Sequence, residues 1–131
     1  MQGDPASQPT AKRAMHKSEL ESRTKKFALD VIRFVASWPR GNVADVLGRQ
    51  LVKAATSVGA NYREANRAES RGDFIHKIGI VEKEASESRY WLELSQEAEI
   101  GDQNPCDTLL MEAAELLAIF TAIGKTTKSR R

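Results

Sequence analysis

The sequence predicts an all-α protein, an antiparallel up-down-up-down four-helix bundle, and three observations carry that expectation. Apolar residues recur at steps of three and four over four separate stretches, which places each set on one face of a helix. No stretch alternates at period two, as a half-buried strand does. The connections between stretches are a few residues long, which favours antiparallel neighbours. At 131 residues there is room for one such domain.

The first helix is expected from Ser18, an N-cap candidate with Glu21 at the capping-box position. Its stripe is Leu20, Thr24, Phe27, Val31, Phe34, Val35 and Trp38. Residues 1–17 hold Pro5 and Pro9 and no apolar periodicity, so they read as a disordered lead-in. Pro39 disfavours helix at Trp38, and Gly41 permits a turn. With Asn42 as N-cap, the second helix carries Val43, Leu47, Leu51, Ala54, Ala55, Val58, Tyr62 and Ala65. Ser70-Arg71-Gly72 makes the next break.

The third helix is expected from about Asp73 to Ile100, with Phe74, Ile78, Val81, Ala85, Ser88, Leu92 and Ser95 on one stripe. Gly101 to Pro105 ends it. The fourth carries Leu109, Leu110, Ala113, Leu116, Leu117, Phe120 and Ile123. The bundle thus spans 18–124, and residues 125–131 form a basic C-terminal tail without apolar anchors.

Helices two and three are rich in small residues, including Gly59 and Gly79. Each glycine costs a helix interior about 1 kcal/mol relative to alanine, so close approach of these two helices is the expected reason for them. Tyr90, Trp91 and Leu94 lie beside the third stripe rather than on it. Such a second apolar face either widens the core contact or meets another subunit, giving a homo-oligomer.

Chemistry is sparse. One cysteine, Cys106, excludes an internal disulfide and fits a reducing cytoplasm, the expected location. No apolar run approaches the ~20 residues of a membrane span, and the N-terminal segment lacks the apolar core of a secretory signal. The nearest approach to a carboxylate–histidine metal motif is Asp73-x-x-His76, with no second copy. Cys106 opens the fourth helix without a histidine partner in the pattern. Arg71-Gly72-Asp73 is a turn, not a phosphate loop. No catalytic, metal or cofactor site is expected.

Charge is distributed unevenly. Residues 1–83 carry fifteen Lys and Arg against nine Asp and Glu, whereas residues 84–115 carry Arg89 alone against nine acids, within a net charge of +2. Arg49, Lys53, Arg63, Arg67, Arg71 and Lys77 cluster on helix two, the following turn and the start of helix three. Arginines at four-residue steps can engage the phosphates of RNA or DNA through charge-assisted hydrogen bonds. Glu64 and Glu69 dilute that edge, and a solvated, ion-paired helix face is the alternative. The acidic surface of helices three and four, with Glu93, Glu97 and Glu99, is in turn a candidate dock for a protein partner.

The stretch Gln50 to Ala65, with Ser57-Val-Gly-Ala-Asn61, then Asp73-Phe74 and Glu82 to Leu92, resembles a bacterial four-helix-bundle family. Its members include proteins encoded by intervening sequences in large-subunit ribosomal RNA genes, and it is also labelled S23 ribosomal protein. The likeness covers roughly residues 24–124. It implies a homopentamer, and a related accessory protein of diversity-generating retroelements binds nucleic acid and a reverse transcriptase. Most members have no established function, and the ribosomal label reflects gene location. Asn61, Glu64, Asp73 and Phe74 match family positions, where the resemblance implies structural roles: Asn61 and Asp73 capping or cross-linking the junction of helices two and three. The acidic 84–115 segment departs from the strongly basic accessory proteins.

Overall fold

In the computed structural model the backbone is described from Pro9 to Arg130 and side chains from Lys17 to Arg130. Four helices follow in order: α1 (Pro9–Ala36), α2 (Asn42–Ala65), α3 (Arg71–Glu97) and α4 (Gln103–Ser129). Each packs on its neighbours in sequence and α4 returns to α1, which closes the ring of an up-down-up-down bundle. The α2–α3 and α3–α4 contacts are extensive, while α1 and α4 share the least. Among the described residues there is no strand.

The expected stripes form the core. Phe27, Val31, Leu51, Val58, Ile78, Val81, Leu92, Leu116 and Phe120 are all buried to within a percent or so. Val43 is the exception, since it sits in the first turn of α2 and remains 64 % exposed.

Helix ends differ from expectation where tertiary contacts decide. The first helix begins at Pro9, not Ser18, so residues 9–17 of the expected lead-in are helical and residues 1–8 lie outside the described residues. At the other end α4 runs on to Ser129 through most of the expected tail. Gly124 is buried against Glu82, and the Arg71 guanidinium donates two hydrogen bonds to the Thr127 carbonyl at 3.2 and 2.7 Å. The N-cap of α2 is Gly41 rather than Asn42. Ser70 caps α3, its Oγ accepting from the Asp73 amide at 3.0 Å.

The end of α3 is a Schellman turn. The Ile100 amide donates to the Ser95 carbonyl, the Glu99 amide donates to Gln96, and Glu99 takes a positive φ of 60°. Gly101 follows at φ 85°, where a Cβ would lie 2.5 Å from the Trp38 indole nitrogen. Only glycine fits there, and it lets the α3–α4 connection close over the end of α1.

The glycines at helix interfaces correct one expectation. Gly59 faces α1 and not α3: a Cβ there would meet Thr24 at 3.0–3.2 Å. Gly48 does the same one end along, against Val35 at 2.8 Å. Gly79, by contrast, is exposed and would meet nothing within 4 Å. Its backbone cost has no counterpart inside the bundle. Gly79→Ala is expected to raise unfolding free energy by about 0.5–1 kcal/mol in urea titration. A loss instead would mean that another chain packs closely at that face.

Candidate nucleic-acid interface

Along α2, Arg49, Lys53, Thr56, Ala60 and Arg63 follow steps of four and three and so form one line on the outward face. Arg67 lies one turn further, just past the C-cap Asn66. From Arg49 to Arg63 the helix rises ~21 Å, so the cations are spread along the helix rather than heaped at one point. Thr56 and Ala60 are short and leave the middle of the line open.

The close approach permitted by Gly48 and Gly59 brings α1 into the same surface. A shallow hollow of about 310 Å³ is lined by Lys25, Ala28, Thr56, Gly59, Ala60 and Arg63. A second, of about 680 Å³, places Arg40, Arg49 and Lys53 around Val35, Pro39, Gly48 and Val52, with Asp45 as its acid. The α1–α2 seam therefore carries Lys25, Arg40, Arg49, Lys53 and Arg63, with Arg67 in the turn beyond it, all exposed. Among the described residues none of the six forms an ion pair. The charge of Lys53 is felt by Glu84 on α3.

Two of the six cations expected at this edge go elsewhere. Arg71 turns to the C-terminal end of α4 and binds the Thr127 carbonyl. Lys77 is half-buried and lies 3.5 Å from Asp73 in an ion pair. Lys25 and Arg40 were not expected, because the packing angle of α1 decides which of its flanks borders α2. The line of Gly48 and Gly59, eleven residues or about three turns apart, was the signal for that contact.

The polar contacts of Asn61 and Asp73 are local and do not form the expected cross-link. The Asn61 amide nitrogen donates to the Ser57 carbonyl of its own helix at 2.8 Å. The Asp73 amide donates to the capping Ser70 Oγ and its carboxylate meets Lys77. Glu64 is exposed, and Phe74 is half-buried against the core.

Exposed acids gather toward the end of α3 and its connection to α4. Glu97, Glu99 and Asp102 are exposed, and Glu93 faces Arg89 at 3.5 Å. Across the α1–α4 contact, Arg23 donates to Glu112 at 2.7 and 2.8 Å and also to Glu115. Those hydrogen bonds, to Glu112 first, hold its guanidinium above its ordinary pKa. Burial, and then the charge of Glu87, pushes the Glu84 carboxyl up.

Tyr90 is 52 % exposed and meets Trp91 edge to face at a centroid separation of 5.1 Å. Trp91 is half-buried and packs on the core, and Leu94 is half-buried. Val43 and Val46 of α2, 64 % and 50 % exposed, lie at the same end of the bundle.

No arrangement for nucleophilic chemistry appears among the described residues. Cys106 is buried, its thiol directed to the Leu92 carbonyl at 3.5 Å, and burial pushes its pKa up despite the Ser95 hydroxyl. The described residues contain no group of three or more His, Cys, Asp or Glu placed to hold a metal ion, and no helix long and apolar enough to cross a membrane.

A comparison with curated proteins gives no match. Among solved structures, the chain is similar to a protein of unknown function from the S23 ribosomal protein family of Bacteroides thetaiotaomicron VPI-5482, at 31 % identity and a TM-score of 0.72. That match covers 80 % of this chain and 97 % of the other. Residues 16–122 match the family described as 23S rRNA-intervening sequence protein. The bundle, its capped α2–α3 junction and this match over most of its length agree: the chain belongs to the 23S rRNA-intervening sequence protein family.

Proposed function

We propose that this protein is a non-enzymatic, self-associating bundle of the cytoplasm that binds the phosphate backbone of RNA or DNA along the α1–α2 seam. One observation carries the reading: six exposed cations, none in an ion pair among the described residues, lie along the α1–α2 seam or just beyond its end, where Asp45 is the acid of the larger hollow. Cations already held by acids of the fold would have to give up those contacts to meet a phosphate; these make no such contact among the described residues. The family name refers to a location within ribosomal RNA genes and agrees with the reading without specifying a ligand.

Self-association is part of the same proposal. A pentamer is what the family resemblance implies, and exposed Tyr90, Val43 and Val46, with half-buried Trp91 beside Tyr90, are apolar residues available for it.

The test is binding of labelled single-stranded RNA and duplex DNA of generic sequence between about 50 and 200 mM salt. With about four phosphate contacts, log affinity for the single strand should fall against log salt with a slope near −3. Sedimentation of the same preparation should give a species well above the 14.5 kDa of one chain. Undetectable binding at ~50 mM salt, or binding with no salt slope, overturns the phosphate reading. That outcome leaves the alternative, a scaffold whose partner docks on the acidic α3–α4 surface, where Glu97 and Glu99 stand exposed.

A further inference from the structure

Between residues 17–26 of α1 and the last turns of α4 lies an open cleft of about 1520 Å³. The two helices make their firm contact lower down, where Arg23 reaches Glu112 and Glu115. Around and beyond that clamp the walls are lined partly by small residues, Ser18, Ser22, Ala122 and Thr126, and the helices leave an open groove. Its apolar surface comes from Leu20, Phe74, Ile119 and Ile123. Its rim is basic on both banks, with Lys17 on α1, Arg71 at the start of α3 and Arg130 just past α4. None of these three has an ion-pair partner among the described residues, and Glu19 is the acid in the lining.

The dimensions select the occupant. Small-molecule pockets run to roughly 300–1,000 Å³ and enclose their ligand, whereas this cleft is larger and open along its length. It follows α1 from Lys17 to Lys26 and α4 from Ile119 to Arg130, ~15 Å or about three helical turns. An apolar floor between cationic banks complements an amphipathic helix whose apolar stripe is flanked by Asp and Glu. A nucleic-acid backbone would meet the rim but leave the apolar floor unused.

We infer that the α1–α4 cleft is a docking groove for an acidic amphipathic helix of a partner protein. The groove is separate from the phosphate seam and stands without it.

The experiment uses three fluorescein-labelled peptides of about fourteen residues. One has leucines at helical spacing flanked by glutamates, one replaces the glutamates with lysines, and one scrambles the leucine order. The acidic amphipathic peptide should bind the full chain saturably, at least about tenfold more tightly than either control. Arg130→Glu, at an exposed position that leaves the fold intact by circular dichroism, should weaken it at least about fivefold. Ile123→Ser should weaken it through the floor, and Arg49→Glu on the seam should leave it unchanged. Equal affinity for the three peptides, or indifference to Arg130→Glu, overturns the proposal. So does displacement of the peptide by RNA from the Arg49→Glu variant, which would make the cleft a phosphate site. A sedimentation coefficient of the free chain that falls with both Arg130→Glu and Ile123→Ser would also overturn it, by assigning the groove to a second copy.

Discussion

Phe120→Ala is expected to destabilise the bundle by about 3–5 kcal/mol, a large part of the 5–15 kcal/mol that holds a typical domain folded. Phe120 is fully buried near the middle of α4, with its ring 5.1 Å from that of Tyr62 on α2, diagonally across the core. Truncation removes the apolar surface and the tilted ring contact together, and four helices already locked at Gly59 and Gly124 have little freedom to collapse into the gap. In thermal unfolding the midpoint should drop by roughly 10–20 °C. Phe120→Leu retains most of the volume and should cost much less. Met111→Ala on the same helix, 72 % exposed, is the control and should stay within about 0.5 kcal/mol of the parent. Similar losses from Phe120→Ala and Met111→Ala would mean that the core is loosely packed and the described burial is wrong.

Phe120 was legible in the sequence because it belongs to a stripe of period 3.6, and that signal is local. The same signal recovered nearly every buried residue of the four helices, and the turn glycines and prolines placed the breaks between helices to within a few residues, whereas Ser18 did not mark the start of α1. What failed was whatever depends on residues far apart in the chain. Lys125 to Ser129 has no apolar anchor, yet helix continues there because Arg71, 56 residues away, holds the Thr127 carbonyl. Arg23 and Glu112 are 89 residues apart, and each read as an ordinary surface charge. Gly59 and Gly79 looked alike as glycines within helices; only the placement of α1 shows that one is a point of close approach and the other faces open space. The candidate site shares this division. Arg49, Lys53 and Arg63 were visible as a line on one helix, whereas Lys25 and Arg40 join them only once Gly48 and Gly59 bring α1 alongside.

That joint surface sets the expectation for the double variant Arg49→Glu/Arg63→Glu. Both side chains are exposed and neither is in an ion pair among the described residues, so reversal should change stability by no more than about 0.5 kcal/mol. Binding should respond far more, because two contacts are lost and two repulsive charges are placed against phosphate. At about 100 mM salt the affinity for generic RNA is expected to fall roughly 100-fold or more, and the salt slope to shrink by between one and two. Lys25→Glu should act in the same direction although it lies on a different helix, since Lys25 and Arg63 border one hollow. Lys77→Glu should have little effect on the slope, because Lys77 already answers to Asp73. If Lys77→Glu weakened binding as strongly as the seam variants, phosphate would be following the protein's overall charge and not this surface. A seam-specific loss, shared by α1 and α2, is what distinguishes a built interface from a merely basic protein.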